Sequence, residues 1–310
     1  MKSSSGKLDR VFNPRSVAIV GASDNRFKMG ARCVESLIDI GFEGKVYPIN
    51  SKLDSIFNLK TYPSLLDVPG DVDLVIIVVP AQYVPDALKD SAQKNAAGAV
   101  IITAGFTEIE DESGALLQAE ISRIANEAGI KIIGPNTFGM VNLAGKLNAS
   151  FTPTFSHLKH GAISMLGQSG GACHLVAFQA IDDNVGLNKL VGLGNRCNVG
   201  FPELVDYLGD DDGTSIIILY LEGIEEPRPL MEAARKLAPH KPIVGLKVGE
   251  SEAALRAVQS HTGSLSGRHD LYYAAFEQAG IVPAQDTVEL LDIAKILNTT
   301  KPPQGNRVAL

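Results

Sequence analysis

Short apolar runs rich in valine and isoleucine alternate with amphipathic stretches along almost the whole chain. That alternation limits the fold more than any other feature. A strand covered on both faces reads as a near-continuous apolar run, and a parallel neighbour needs a long crossover, usually a helix. A first set of runs is SVAIVG (16–21), KVYPIN (45–50), DLVIIVVP (73–80), GAVIITAG (98–105) and IKIIGPN (130–136). Helices are expected between them over Tyr83–Asn95 and Gly114–Ala128. The second set is GAISMLG (161–167), KLVGLG (189–194), SIIILYLEG (215–223), KPIVGLK (241–247) and GIVPA (280–284). From Asn142 to His160 the period fades into a polar, proline-containing connector. The expected fold class is α/β, two doubly wound domains in tandem, with a division at 1–150 and 151–300. The last residues, 301–310, read as a linker in which GNRVAL begins a strand of a further domain.

Composition removes several classes of function. The 310 residues are enough for two well-filled cores, and 45% hydrophobic with 20% charged residues is a soluble globular balance. The longest apolar run, LVIIVVP, is too short to span a bilayer, and MKSSSGKLDR lacks the apolar core of a signal peptide. Cys33, Cys173 and Cys197 are scattered and suggest neither disulfides nor a metal site. A net charge of −7 with no basic run argues against nucleic acid. The expectation is a cytoplasmic enzyme acting on small molecules.

Four segments carry candidate chemistry. In VGASDNRFKMG, Gly21 follows a strand and precedes a helix, where it is either a tight turn or a place for backbone to approach a pyrophosphate. The spacing is not G-x-G-x-x-G, and the second strand ends in Pro48-Ile49-Asn50 without a ribose-holding acid, so NAD is disfavoured. No Walker-type lysine pattern is present either. The stretch Gly167-Gln168-Ser169-Gly170-Gly171 matches G-x-S-x-G, the elbow of a serine hydrolase, with Asp206 or Asp210–Asp212 available for a triad. It reads equally as a helix start at Ser169, Gly170 and Gly171 that would hold an anion, or as a packing turn. Glu222 closes a buried strand at the edge where parallel sheets bind ligands. The GDDDG loop, 209–213, reads as solvated. His261 sits in QSHTGSLSG, whose glycines allow close approach to a phosphate, whereas His157, His160, His174, His240 and His269 carry no motif.

Taken in order, VAIVGAS, KVYPIN, VVPA, GPNTFG, GQSGG, LYLEG and SHTGSLSG resemble the NDP-forming acyl-CoA synthetase superfamily, relatives of the succinyl-CoA synthetase alpha subunit. The resemblance runs from about Arg10 to Thr300. It implies a Rossmann-like coenzyme A domain followed by a flavodoxin-like ligase domain that carries a phosphorylated histidine. It assigns that histidine to His261, its orienting carboxylate to Glu222, and the phosphate-receiving helix start to Ser169 and Gly170. It places coenzyme A contacts at Gly21, Ala22, Ser23, Asp24, Asn25, Lys28, Asn50, Pro80, Ile102, Thr103 and Ala104, with Asn136 near the thiol end. His174 falls near the family's acyl pocket. ATP or ADP with Mg2+ would be handled by an ATP-grasp domain or beta subunit, and the substrates would be a small carboxylic acid and its acyl-CoA in an oligomeric enzyme. A serine hydrolase and a non-catalytic acyl-CoA sensor of the kind fused to acetyltransferases are the alternative readings.

Overall fold

The computed structural model describes residues 2–109, 111–224, 226–249, 269–300 and 305. The first sheet contains β1 (Ser16–Val20), β2 (Lys45–Ile49), β5 (Leu74–Ile77), β6 (Gly98–Ile101) and β7 (Lys131–Ile133), all parallel, in the order β2-β1-β5-β6-β7. A small ribbon, β3 (Ser55–Ile56) and β4 (Leu59–Lys60), lies in the connection after β2. The helices are α1 (Lys2–Phe12), α2 (Met29–Asp39), α3 (Val84–Gln93) and α4 (Glu112–Ala128). Side chains alternate between the two faces of the sheet. Val17 and Ile19 of β1 pack with Leu8 of α1 and Val34 of α2, while Ala18 packs with Leu88 of α3 and Ile121 of α4.

The second sheet repeats this plan. Its parallel strands are β10 (His160–Gly167), β11 (Leu187–Gly192), β12 (Ile216–Leu221), β13 (Ile243–Lys247) and β14 (Ile281–Pro283). With β8 (Gly139–Asn142) and β9 (Leu147–Ser150) the order is β14-β13-β12-β10-β11-β8-β9. Helices α5 (Gly170–Asp182) and α9 (Thr287–Thr299) cover one face, and α6 (Phe201–Gly209), α7 (Pro227–Leu237) and α8 (His269–Ala279) the other. In both sheets the first parallel strand lies between the second and the third. The order therefore reverses between β1 and β5, and again between β10 and β12.

The stretch from Asn142 to His160 is not a plain connector. β8 pairs antiparallel with β11 and with β9, so residues 139–150 extend the second sheet before its first parallel strand is made. The polar residues that hid the hairpin are buried and bonded: Asn142 Nδ2 donates to the Phe12 carbonyl at 2.9 Å, and Ser150 Oγ to Asn148 Oδ1 at 2.6 Å. The changeover between sheets lies between Ile133 and Gly139, ahead of the expected division at 150.

The GDDDG loop is only partly solvated, which corrects the sequence reading. Asp211 Oδ2 accepts from Lys189 Nζ at 2.7 Å and from Asn188 Nδ2 at 2.8 Å, and also takes the Thr214 hydroxyl. Burial pushes this carboxyl up, but the bonds from Lys189, Thr214 and Asn188 win and hold it below the ordinary range.

The two domains share a core. One apolar cluster runs from Leu8 and Phe12 of α1 and Val34 of α2 to Leu204 and Leu208 of α6 and Leu230 of α7. Phe12 stacks on Tyr207 with ring centres 4.8 Å apart. No helix among the described residues is long and apolar enough to cross a membrane. His261, with the rest of SHTGSLSG, and most of GNRVAL lie outside the described residues.

Candidate functional site

In open α/β sheets, ligands bind beyond the carboxyl ends of the strands, where the order reverses. At the first reversal Gly21 ends β1 with φ +97°, a left-handed conformation that favours glycine. A β-carbon on Gly21 would stand 3.1 Å from methyls of Val78 and Val79, which leave β5. One on Gly30, in the first turn of α2, would collide with the Gly21 carbonyl. Helix and strand end are thus locked together by the absence of side chains.

The other expected residues of this domain form a linked rim along the same edge. Asn50 Nδ2 donates to the Ala22 carbonyl at 2.9 Å, and the Asn25 N–H donates to Ser23 Oγ at 3.1 Å. Thr103 Oγ1 donates to the Val79 carbonyl at 2.6 Å, and the Asn136 N–H to the Thr103 carbonyl at 2.9 Å. Ala22 and Ser23 are buried, whereas Asp24, Asn25 and Lys28 are exposed. Pro80 follows β5 and opens the 3-10 turn Ala81–Tyr83.

At the second reversal Ser169 caps α5, its Oγ accepting the Ala172 N–H at 3.4 Å. The N–H groups of the first helical turn have no carbonyl one turn earlier to bond, and the helix dipole adds positive potential there. Here the glycines are open. A β-carbon on Gly170 would lie 3.8 Å from its nearest neighbour, a Phe138 ring atom, and one on Gly171 3.9 Å from Ser169 Oγ. Packing does not demand glycine at either position, and both leave space in front of the helix.

Ser169 is not a hydrolase elbow. Its φ −83° and ψ 119° are relaxed extended values, in contrast to the strained turn that exposes a hydrolase serine. The histidine nearest in sequence, His174, has both nitrogens engaged. Nδ1 lies 2.7 Å from the Gly170 carbonyl and Nε2 2.8 Å from Thr152 Oγ1. A carbonyl only accepts, so the proton is on Nδ1, and in neutral imidazole Nε2 then accepts the Thr152 hydroxyl. The ring is surrounded by Phe138, Phe151, Phe155 and Phe178.

Glu222 follows β12 and is 5% exposed. Its backbone N–H and that of Gly223 donate to Gln168 Oε1 at 2.7 and 3.1 Å. The carboxylate adds to its neighbours' titration. Burial first, and Glu222 next, push the Tyr220 phenol up to about 12, and the same two causes push the Cys173 thiol up. Burial lowers Lys247, at the end of the adjoining β13, and Glu222 partly opposes that. The Lys247 ammonium lies 4.9 Å from the Tyr272 ring centre, and the Tyr272 hydroxyl accepts the Ile224 N–H at 3.0 Å.

Both edges open onto one cavity of about 600 Å3. Ile102, Thr103, Ala104 and Asn136 line it from the first domain, and Ser169, Gly170, Gly171 and Glu222 from the second. Gly21, Ala22, Ser23, Asp24, Asn25, Lys28, Asn50 and Pro80 do not line it and lie along the rim of the first sheet. The sequence reading missed Gln168, Phe138, Phe151, Asn195 and Arg196, which also line the cavity. Asn195 ties the edges together. Its N–H donates to the Pro135 carbonyl at 2.9 Å, and its Nδ2 donates to Gln118 Oε1 at 3.0 Å and to Glu108. Burial raises the Glu108 carboxyl, but bonds from Asn195 and the Gly105 N–H outweigh it and leave it lowered. An anion would meet helix-end N–H groups here, close to a buried carboxylate able to hold a cationic or N–H-bearing partner.

Two tandem doubly wound domains thus face one cavity with the carboxyl ends of their strands. Comparison with known proteins supplies the family. Residues 15–142 match the CoA binding domain, and residues 160–297 match the succinyl-CoA ligase like flavodoxin domain. The chain is 38% identical over 307 residues to the alpha subunit of the ADP-forming acetate–CoA ligase I of Pyrococcus furiosus, covering 98% of this chain and 66% of that subunit. It is 40% identical over 304 residues to the ADP-forming acetate–CoA ligase of Methanocaldococcus jannaschii, covering 98% of this chain and 42% of that one. A solved structure of the dinucleotide forming acetyl-coenzyme A synthetase 1 of Ca. Korarchaeum cryptofilum, with phosphate and ADP, superposes with a TM-score of 0.91 at 36% identity, covering 96% of this chain and 64% of that chain. The chain belongs to the NDP-forming acyl-CoA synthetase superfamily. It spans less than two thirds of the length of that solved chain and less than half of the M. jannaschii enzyme.

Proposed function

We propose that this chain is the alpha-type part of an ADP-forming acid–thiol ligase. Acyl-CoA and phosphate exchange to acyl phosphate and free coenzyme A. The acyl phosphate then gives its phosphoryl group to an imidazole nitrogen of His261 and leaves as the carboxylate. Phosphohistidine passes the group to ADP, which with Mg2+ is held by an ATP-grasp domain or beta subunit. In this reading residues 1–150 hold coenzyme A and residues 151–300 carry the phosphoryl chemistry.

The observation that supports it best is the cavity itself, where Gly170 and Gly171 leave a helix N-terminus uncovered beside the buried Glu222 and opposite Ile102–Ala104. A phosphoryl group in transfer keeps its negative charge, so helix-end N–H groups are suited to receive it. Glu222 takes an N–H of the His261 ring, which sets the tautomer and presents the other nitrogen for attack. Coenzyme A lies along the rim at Gly21–Asn25, Lys28, Asn50 and Pro80, with its thiol end directed past Ile102–Ala104 towards Asn136. The acid is small, and His174 with Phe138 and Phe151 borders its acyl group.

A phosphoramidate is acid-labile and survives base, unlike a phosphoserine. Incubation with an ATP-grasp partner and labelled ATP is expected to give acid-labile label that His261→Asn abolishes. Full labelling of His261→Asn would sink the proposal.

A further inference from the structure

Gln168 has a direction fixed by its neighbours and a group that the scheme above leaves unused. It leaves β10 at the second reversal, where its N–H donates to the Tyr220 carbonyl at 3.2 Å and continues the β10–β12 ladder by one residue. Its side chain is nearly enclosed, the residue being 7% exposed. Oε1 accepts the N–H groups of Glu222 and Gly223. Backbone N–H groups can only donate, so the carboxamide has one permissible orientation, oxygen towards β12 and NH2 away from it. No acceptor among the described residues takes that NH2, and Gln168 lines the cavity with Ser169, Gly170, Gly171 and Glu222.

We infer that Gln168 is a phosphoryl-binding residue, its NH2 donating to an oxygen of the phosphoryl group at the α5 N-terminus while its carbonyl fixes the strand end that bears Glu222. The inference rests on reading the cavity as the phosphoryl site. With its oxygen held by the backbone, the NH2 is presented to the cavity, where an oxygen of a bound anion can accept from it. The side-chain type also fits. An arginine or lysine here would pair with the Glu222 carboxylate and compete for it, and an acid would repel the incoming anion. A neutral amide adds two donors and no charge. One side chain thereby links the position of the carboxylate to the position of the phosphate.

Gln168→Glu keeps an acceptor for the N–H groups of Glu222 and Gly223 but replaces the NH2 by a charge that repels the anion, so it is compared with the neutral Gln168→Leu, in which no charge is added. Inorganic phosphate and acetyl phosphate are titrated into the whole chain at pH 8 and at pH 5, with the thermal midpoint recorded without ligand. At pH 8 Gln168→Glu is expected to bind both probes about a hundredfold more weakly than wild type, since it loses a bond to a charged group and gains a like charge. Its midpoint should fall at pH 8, where the new carboxylate lies close to buried Glu222, and recover towards wild type at pH 5. At pH 5 the introduced carboxyl would take up a proton and regain an O–H donor, so much of the deficit should close. Gln168→Leu lacks donor and acceptor and should bind weakly at both pH values. Binding by Gln168→Leu as tight as wild type, or a Gln168→Glu deficit that is the same at both pH values, overturns the inference. A deficit for acetyl phosphate alone overturns it too, since the acceptor would then be the acyl carbonyl. Phosphate binding does not need His261. Failure of His261 to be labelled, with phosphate binding and its Gln168 dependence intact, would therefore count against the proposed function alone.

Discussion

The two strand-order reversals use the same topology and the same small residue to opposite ends. At β1/β5 the glycines are structural, since Gly30 lets α2 press on the Gly21 carbonyl and no free space remains between them. At β10/β12 Gly167 is packed against Cys173, but the two glycines that open α5 are vacant, with nothing closer than 3.8 Å to a β-carbon on Gly170. The first edge carries no buried acid among its five strand exits, and the second carries Glu222. A shared plan therefore gives one edge whose helix is packed onto its strand end and another whose helix N-terminus is left open, with a buried acid at a strand end.

Glu222→Gln tests the contrast most severely. Labelling of the chain by its partner and ATP is expected to fall about a hundredfold or more, as when an orienting or proton-handling group is lost. Fold should be kept, because Gln168 binds the backbone of residue 222 and not its side chain. Tyr220 reports the lost charge, its phenol titrating below the present value of about 12. Unchanged labelling would make the two edges equivalent and end the comparison.

Glycine-to-alanine exchanges sharpen it. Gly30→Ala is expected to lower unfolding free energy in denaturant by about 2 kcal/mol through overpacking. Gly171→Ala should leave stability unchanged or raise it by up to about 1 kcal/mol, since alanine is the better helix residue. It should still weaken phosphate binding about tenfold by occupying the approach to the helix end. Equal destabilisation by both exchanges would mean that both turns are packing devices.

The smallest effect on labelling is expected at the opposite edge of the second sheet. Asp211→Asn should cost about 1.5 kcal/mol near neutral pH, the range for bonds to a charged group, and leave labelling alone. The sign with pH follows from the lowered carboxyl. The folded state binds this proton less readily than the unfolded chain, whose aspartates titrate near about 3.9. The stabilisation is therefore complete above that value and disappears as pH falls through the folded one. Wild type and variant should converge in acid denaturation below about pH 4.

The parallel strands were legible because most are covered on both faces and so read as nearly unbroken apolar runs. The hairpin at 139–150 was not, because Asn142, Asn148 and Ser150 are buried with their bonds satisfied and read as connector residues. Asp211 misled for the same reason. At the site, Ser169–Gly171 and Glu222 could be found from motif and strand end. Gln168 could not, since its partners are backbone N–H groups 54 and 55 residues away, a chemistry that every residue except proline offers. Asn195 had no local pattern either, its bonds running to Pro135, Gln118 and Glu108.

The shared middle core has a mechanical consequence. Domains that clamp and release ligands turn about hinges, which need thin or polar contacts between the moving bodies. Here Phe12 lies on Tyr207, Asn142 holds the end of α1, and apolar side chains run unbroken from α1 and α2 to α6 and α7. Opening the pair like a jaw would expose that whole layer to water. The same layer that joins the two domains therefore opposes any widening of the cavity between their edges.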